Sequence, residues 1–233
     1  ALVMTAISLL IPILCVSRFQ LVFAVLLAAF TYISLQKLFH PGWLFGLFVV
    51  MIPFYLILTV ARSHNIEYLN GIFEMKNASM PIFVSQPYIY IANNYDNFNF
   101  LVGALPGHSF GLKGLFPLWA LSGLKFFFPQ LINFPIYVDK TELTTLTLFY
   151  DSYYDFGWIG VLLFSCILGA IAYILVVKLR EMRNPLGYLL YAQFAAYLML
   201  SFFTTWFSNT TTWFYLILTG IMALFYHLRA SRW

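Results

Sequence analysis

The sequence predicts an all-α protein that crosses a membrane several times. Of its 233 residues, 62% are hydrophobic and 9% are charged, and the mean hydropathy is +0.86. Soluble domains carry a charge on about a quarter of their residues, so this composition excludes an ordinary soluble fold. Charged residues, Pro, Gly or Asn separate six apolar segments of roughly spanning length. These predicted transmembrane helices are residues 1–16, 19–35, 42–61, 157–177, 187–206 and 211–228.

The first apolar segment is shorter than the roughly 20 residues that a spanning helix needs. The chain begins with Ala1, and no basic region with a signal-peptidase pattern accompanies the opening run. We therefore expect the chain to be the C-terminal part of a longer protein, beginning inside a helix.

The basic residues predict which side of the membrane each loop occupies, because short loops rich in Lys and Arg stay in the cytoplasm. The loop after residue 177 and the C-terminal tail are of this kind. Alternation then places residues 62–156 on the outer face, where seven acidic residues outnumber five basic ones. The predicted organisation is three spans in 1–61, an outer region in 62–156, and three spans in 157–233 with a cytoplasmic C-terminus.

Residues 114–135 are apolar but contain Pro117, Lys125 and Pro129. A seventh span here would move the basic loop after residue 177 to the outer face. We therefore predict interfacial or re-entrant helices that lie against the membrane.

Several cationic side chains are candidates for binding an anion on the outer face. Arg18 interrupts apolar sequence, and Arg62 and His64 follow the third span. Ionisable groups at a membrane edge are often functional, a guanidinium binds phosphate oxygens in pairs, and an imidazole exchanges a proton near neutral pH. Anchoring to lipid headgroups explains the same residues. His108, in a Pro-Gly-His-Ser-Phe turn, is a further candidate.

Residues 88–99 mix aromatic rings with amides and a carboxylate. Rings stack on the C–H faces of sugars, and amides and carboxylates take up hydroxyl groups, so the stretch predicts a sugar-binding surface. An aromatic belt at the membrane interface explains Tyr88 and Tyr90 without a ligand. It does not explain the polar residues among them, Asn93, Asn94, Asp96, Asn97 and Asn99.

Asp151 and Asp155 precede the fourth span and are four residues apart. In a helix both carboxylates would share one face, and their repulsion would favour a proton-accepting role for one of them. A helix-capping role for Asp155 is the alternative. Gly157 and Gly160 after them are typical of close helix approach.

The sequence contains no spaced Cys/His set, no HExxH, no phosphate-binding loop and no GxSxG motif. We therefore predict no metal, no cofactor and no nucleic-acid partner; the net charge of +4 follows membrane topology.

Three of these stretches together resemble the Wzy-type oligosaccharide repeat-unit polymerases of bacterial O-antigen, capsule and exopolysaccharide pathways. They are Ser17-Arg18 between apolar runs, the tyrosine- and asparagine-rich stretch 88–99, and the Tyr-Tyr-Asp-Phe-Gly run at 153–157 followed by Gly160. The resemblance covers roughly residues 1–180, and the run 154–157 is its most specific part.

The resemblance implies a metal-independent, membrane-embedded glycosyltransferase of the bacterial plasma membrane, with its active face outward. Its substrate would be an oligosaccharide linked to undecaprenyl diphosphate, and a chain-length regulator protein would be a partner. Arg18 and Arg62 would contact the diphosphate, and Asp155, Asp151 and His64 would be catalytic. The predicted substrate-binding residues are completed by Tyr88, Tyr90, Asn94, Asp96, Asn97, His108 and Tyr153.

Three alternatives stay open at this point. An O-antigen ligase of the same architecture would join finished glycan to the lipid A core, and a flippase would move the lipid-linked oligosaccharide across the membrane. A purely structural membrane subunit would leave the polar residues of 88–99 unexplained.

Overall fold

The computed structural model describes residues 18–36, 41–60, 65–181, 184–202 and 204–230. All regular secondary structure in these ranges is helical, which confirms the predicted all-α class. The α-helices are α1 Arg18–Gln36, α2 Pro41–Val60, α3 Ile66–Ile72, α4 Ile82–Ala104, α5 Phe116–Leu121, α6 Tyr150–Glu181, α7 Pro185–Met199 and α8 Thr210–Ala230. Short 3-10 helices occupy Leu124–Phe126, Pro129–Leu131 and Trp206–Ser208.

Two of the described helices are long and apolar enough to be candidate membrane spans. They cover Tyr150–Lys178 and Thr210–Arg229 and include the predicted spans 157–177 and 211–228. The apolar part of α1 is shorter, at Gln20–Leu35. Helix α7 has 15 residues and ends at Met199, because the chain then turns and buries Trp206 and Phe207. The described ranges therefore support two of the six predicted spans; the segment 1–16 lies outside them.

The chain divides into two compact units, residues 1–89 and residues 90–233. In the first unit α1 packs against α2. The side chain of Asn65 caps α3 by accepting a hydrogen bond from the backbone N of Tyr68 (3.0 Å). Buried Asn70 then donates to the carbonyls of Ala78 (2.8 Å) and Met80 (2.7 Å), which fixes the turn after α3.

In the second unit α8 packs against α5 and α7, and α7 also packs against α6. The segment between α5 and α6 has no long helix, so its backbone polar groups need partners from elsewhere. The asparagines of α4 supply some of them. Asn93 donates to the carbonyl of Leu143 (3.0 Å), and fully buried Asn97 donates to the carbonyls of Leu143 (2.7 Å) and Thr145 (2.8 Å). These bonds hold the extended segment before α6 against α4.

A fully buried tyrosine also fixes the segment before α6. The hydroxyl of Tyr150, in the first turn of α6, donates to the carbonyl of Tyr137 (2.8 Å) and accepts from its backbone N (2.7 Å). Leu101, Tyr153 and Tyr154 complete this buried cluster. The start of α6 is therefore held in place by both apolar packing and backbone hydrogen bonds.

We predict that Tyr150→Phe destabilises the protein, because it leaves the N–H and the carbonyl of Tyr137 without this partner in a partly buried place. Each such orphaned group costs about 1–3 kcal/mol. Denaturant unfolding in detergent measures this loss as a change in the free energy of unfolding. The matched control is Tyr95→Phe, whose ring is 64% exposed and which should unfold like the wild type. Equal stability of the two variants would contradict the clamping role of Tyr150.

Candidate functional site

A buried carboxylate fastens a loop to the start of α6. Asp155 is 3% exposed and accepts hydrogen bonds from the hydroxyl of Ser109 and from the backbone N of Lys113 (3.1 Å) and Gly114 (2.7 Å). Its own carbonyl accepts from the backbone N of Phe110 (3.1 Å). A Cβ atom at position 114 would lie 2.6 Å from Oδ2 of Asp155, so a glycine lets the backbone come this close. Asp155 therefore shapes the loop 108–114 and does not cap a helix.

The second carboxylate binds a lysine from that loop. Nζ of Lys113 lies 3.6 Å from Oδ1 of Asp151, and both side chains are largely buried. Nζ also lies over the rings of Tyr154 (4.5 Å to the centroid) and Tyr150 (5.6 Å), a cation–π arrangement. The hydroxyls of Thr205 and Ser208 are placed to donate hydrogen bonds to Asp151. The two carboxylates of α6 therefore both contact residue 113, one through its side chain and one through its backbone.

Helix α6 is interrupted directly after this cluster. Gly157 has φ 61° and ψ −145°, a backbone region that residues with a side chain rarely adopt. The imidazole of His108 fills the space beside it, and a Cβ atom at 157 would lie 3.1 Å from Nε2 of His108. Gly157 therefore makes room for a histidine from the loop, a different contact from the helix approach that we predicted for it.

The side chain of His108 is exposed, and two contacts fix the orientation of its ring. Its Nδ1 lies 3.3 Å from the carbonyl oxygen of Tyr154, and its ring packs edge to face on Tyr153 (centroids 6.1 Å apart). Tyr153 in turn contacts Phe98 and Trp158, with centroid distances of 5.4 and 5.2 Å. The indole of Trp158 is 64% exposed. An imidazole and an indole thus both pack against one buried tyrosine.

The predicted sugar-binding residues of α4 divide by burial. Asn94 and Asn97 are fully buried. The side chain of Asn94 donates to the carbonyls of Tyr90 and Phe202, and Oδ1 of Asn97 accepts from the backbone N of Asp139 (3.0 Å). Both amides therefore hold backbone in this structure. The side chains of Tyr88, Tyr90 and Asp96 are exposed.

The predicted cationic residues are described only in part. Arg18 is the first residue of α1, and its side chain is not among those described. Arg62 and His64 lie outside the described residues. The structure thus brings together Asp151, Asp155, His108 and Tyr153 from the predicted set.

Four residues of the cluster were not predicted: Ser109, Lys113, Thr205 and Ser208. Lys113 is separated from Asp151 and Asp155 by about forty residues of sequence, and no local pattern marks it. Ser109 stands beside His108, which is the single sequence signal for this loop.

We predict that Gly157→Ala destabilises the start of α6 by about 1–3 kcal/mol, because the left-handed backbone and the nearby imidazole both oppose a Cβ atom. The matched control is Gly169→Ala in the same helix, where nothing lies within 4 Å of an added Cβ. An alanine there should be neutral or stabilising by about 0.5–1 kcal/mol. The free energies of unfolding of the two variants are measured in detergent. An alanine at 157 that costs no stability would contradict the left-handed backbone at this position.

We also predict non-additive effects at the buried ion pair. Lys113→Met leaves Asp151 without its cation, and Asp151→Asn leaves the ammonium unpaired, so each should cost about 3–5 kcal/mol. The double variant removes both charges and should be more stable than the sum of the single losses implies. A double-mutant cycle of unfolding free energies measures this coupling, with Lys76→Met, an exposed lysine, as the control. Strict additivity would contradict the ion pair.

In the residues that the structure describes, no three His, Cys, Asp or Glu side chains are grouped to hold a metal ion. The polar groups of the cluster are a lysine, two carboxylates, hydroxyls and an imidazole, which suit proton transfer and hydrogen bonding. Comparison with models of known protein families, with curated proteins and with solved structures gives no match.

Proposed function

We propose that this chain is part of a membrane-embedded glycosyltransferase that polymerises oligosaccharide repeat units linked to undecaprenyl diphosphate. The observation that carries the proposal is the cluster around Asp155. The run 153–157, which bears the most specific part of the resemblance, supplies a buried tyrosine, an anchoring carboxylate and the glycine beside His108. The residues that suggest the family in sequence are thus the residues that build the site.

The proposed reaction joins two lipid-linked sugars. A hydroxyl oxygen of one repeat attacks the anomeric carbon of another, and the bond between that carbon and the diphosphate oxygen breaks. Undecaprenyl diphosphate leaves with the electron pair, and the hydroxyl proton passes to a base. Such a step needs a proton acceptor and cations for the leaving group. The resemblance assigns these cations to Arg18 and Arg62, whereas Lys113 is bound to Asp151.

The position of the cluster favours chemistry at a membrane surface. Asp151 and Asp155 lie in the first two turns of the candidate span Tyr150–Lys178, and His108 and Lys113 come from the loop beside those turns. Flippases and other transporters place their binding groups near the middle of the membrane. We therefore favour a transferase on the outer face of the bacterial plasma membrane, working without a metal or cofactor and with a chain-length regulator as partner.

We predict that cells lacking the full-length gene make a single repeat in place of a polymer ladder, and that wild type restores the ladder. Asp155→Asn should reduce polymer by about 10²-fold, because releasing the loop 108–114 misplaces the site. Glu142→Gln, an exposed carboxylate in the same region, is the control and should restore the ladder fully. Carbohydrate-stained gels measure the result.

Other outcomes of the deletion separate the alternatives. Long lipid-linked chains left unattached would identify a ligase, and single repeats confined to the cytoplasmic leaflet would identify a flippase. A ladder unchanged by the deletion would overturn the polymerase proposal.

A further inference from the structure

We infer that His108 is the proton acceptor of the proposed reaction, and that Gly157 gives its ring room beside the start of the candidate span. This inference rests on the proposed function and names a base for it. It departs from the expectation that Asp155 accepts the proton.

The hydrogen bond of His108 fixes which ring nitrogen carries the hydrogen. A carbonyl oxygen only accepts, so Nδ1, which lies 3.3 Å from the carbonyl of Tyr154, must donate. In the neutral imidazole Nε2 then holds the free electron pair. Within the described part of the chain no hydrogen bond engages Nε2. The ring is thus oriented as a base by a backbone group.

Gly157 gives the imidazole its place beside α6. A Cβ atom at this position would lie 3.1 Å from Nε2 and 3.2 Å from Cε1 of His108, tighter than such contacts ordinarily are. Any larger residue at 157 would therefore press on the part of the ring that holds Nε2. Glycine lets the ring keep the orientation that the carbonyl of Tyr154 gives it, with no hydrogen bond to Nε2 in the described residues.

The carboxylates nearby are already engaged. Asp155 is buried and accepts hydrogen bonds from Ser109, Lys113 and Gly114. Asp151 is buried beside the ammonium of Lys113. The imidazole is the exposed titratable group of this cluster in the described residues, and accepting a proton at Nε2 would break no hydrogen bond or ion pair there. Asp155 is accordingly a positioning residue, which holds the loop that carries the base.

The hydroxyl of the incoming sugar loses its proton to Nε2 while its oxygen bonds to the anomeric carbon, and the bond from that carbon to the diphosphate oxygen breaks. The imidazolium returns the proton to water once the diphosphate has left.

The test uses membranes that contain the full-length protein, supplied with the lipid-linked repeat units extracted from a strain lacking the gene. His108→Ala should lower the rate of polymerisation by about 10²–10⁴-fold. Imidazole and its methylated derivatives should restore activity to this variant, with rates that rise with the basicity of the added base. If His108 had only a structural role, the restored rates would not depend on the basicity of the added imidazole.

His108→Asn is the matched variant, because its amide can still donate to the carbonyl of Tyr154 but has no basic nitrogen. Limited proteolysis should cleave the loop 108–114 of this variant as it cleaves the wild type. The variant should nevertheless lose as much activity as His108→Ala. An active Asn variant, or failure of every imidazole to restore the Ala variant, overturns the assignment of His108 while the polymerase proposal stands. Wild-type membranes that do not polymerise overturn the proposed function, and the inference with it.

Discussion

The structure of the candidate site depends on one buried carboxylate and the backbone that surrounds it. A buried carboxylate needs hydrogen-bond donors, because burying a charge without partners is very unfavourable. Asp155 receives hydrogen bonds from a hydroxyl and two backbone N–H groups of a single loop. These bonds fix the conformation of that loop as much as they solvate the charge. His108 and Lys113, which lie on the same loop, are placed by them. A substitution at 155 would therefore also displace His108 and Lys113, although neither of these side chains is itself changed.

Hydrogen bonds to backbone groups also hold the segment that supports the site. The segment before α6 lacks regular structure, and its backbone is satisfied by the amides of α4 and by the hydroxyl of Tyr150. Asparagine suits this task because its amide donates and accepts at once. The polar character of α4 is therefore explained in part by packing, whereas its tyrosines Tyr88, Tyr90 and Tyr95 and its carboxylate Asp96 are exposed.

Composition and spacing predicted part of this arrangement. The helical class follows from hydropathy, and the positions of Asp151 and Asp155 on one face of α6 follow from their four-residue spacing. The roles of the buried groups could not be predicted, because they depend on contacts between residues about forty positions apart, such as Lys113 and Asp151. Asn94 and Asn97 show the same limit: their residue type suits sugar and backbone equally, and only burial distinguishes the two. Gly157 was noticed in the sequence, but its left-handed backbone and its contact with the distant His108 could not be predicted from local spacing.

The break at Gly157 explains how one helix serves two environments. Before it, α6 presents carboxylates and tyrosines that contact the loop 108–114; after it, the helix is an apolar candidate span with an exposed surface. In a continuous helix, the directions of the side chains before and after residue 157 would be fixed by the regular helical repeat. The left-handed backbone at Gly157 breaks this repeat, so the two parts of α6 can face different surroundings. The break lets the polar turn face its loop while Trp158 and the following residues face outward. Such a join suits the proposed reaction between two lipid-linked sugars, since the reacting groups would be polar and the chains that carry them would be held in the membrane.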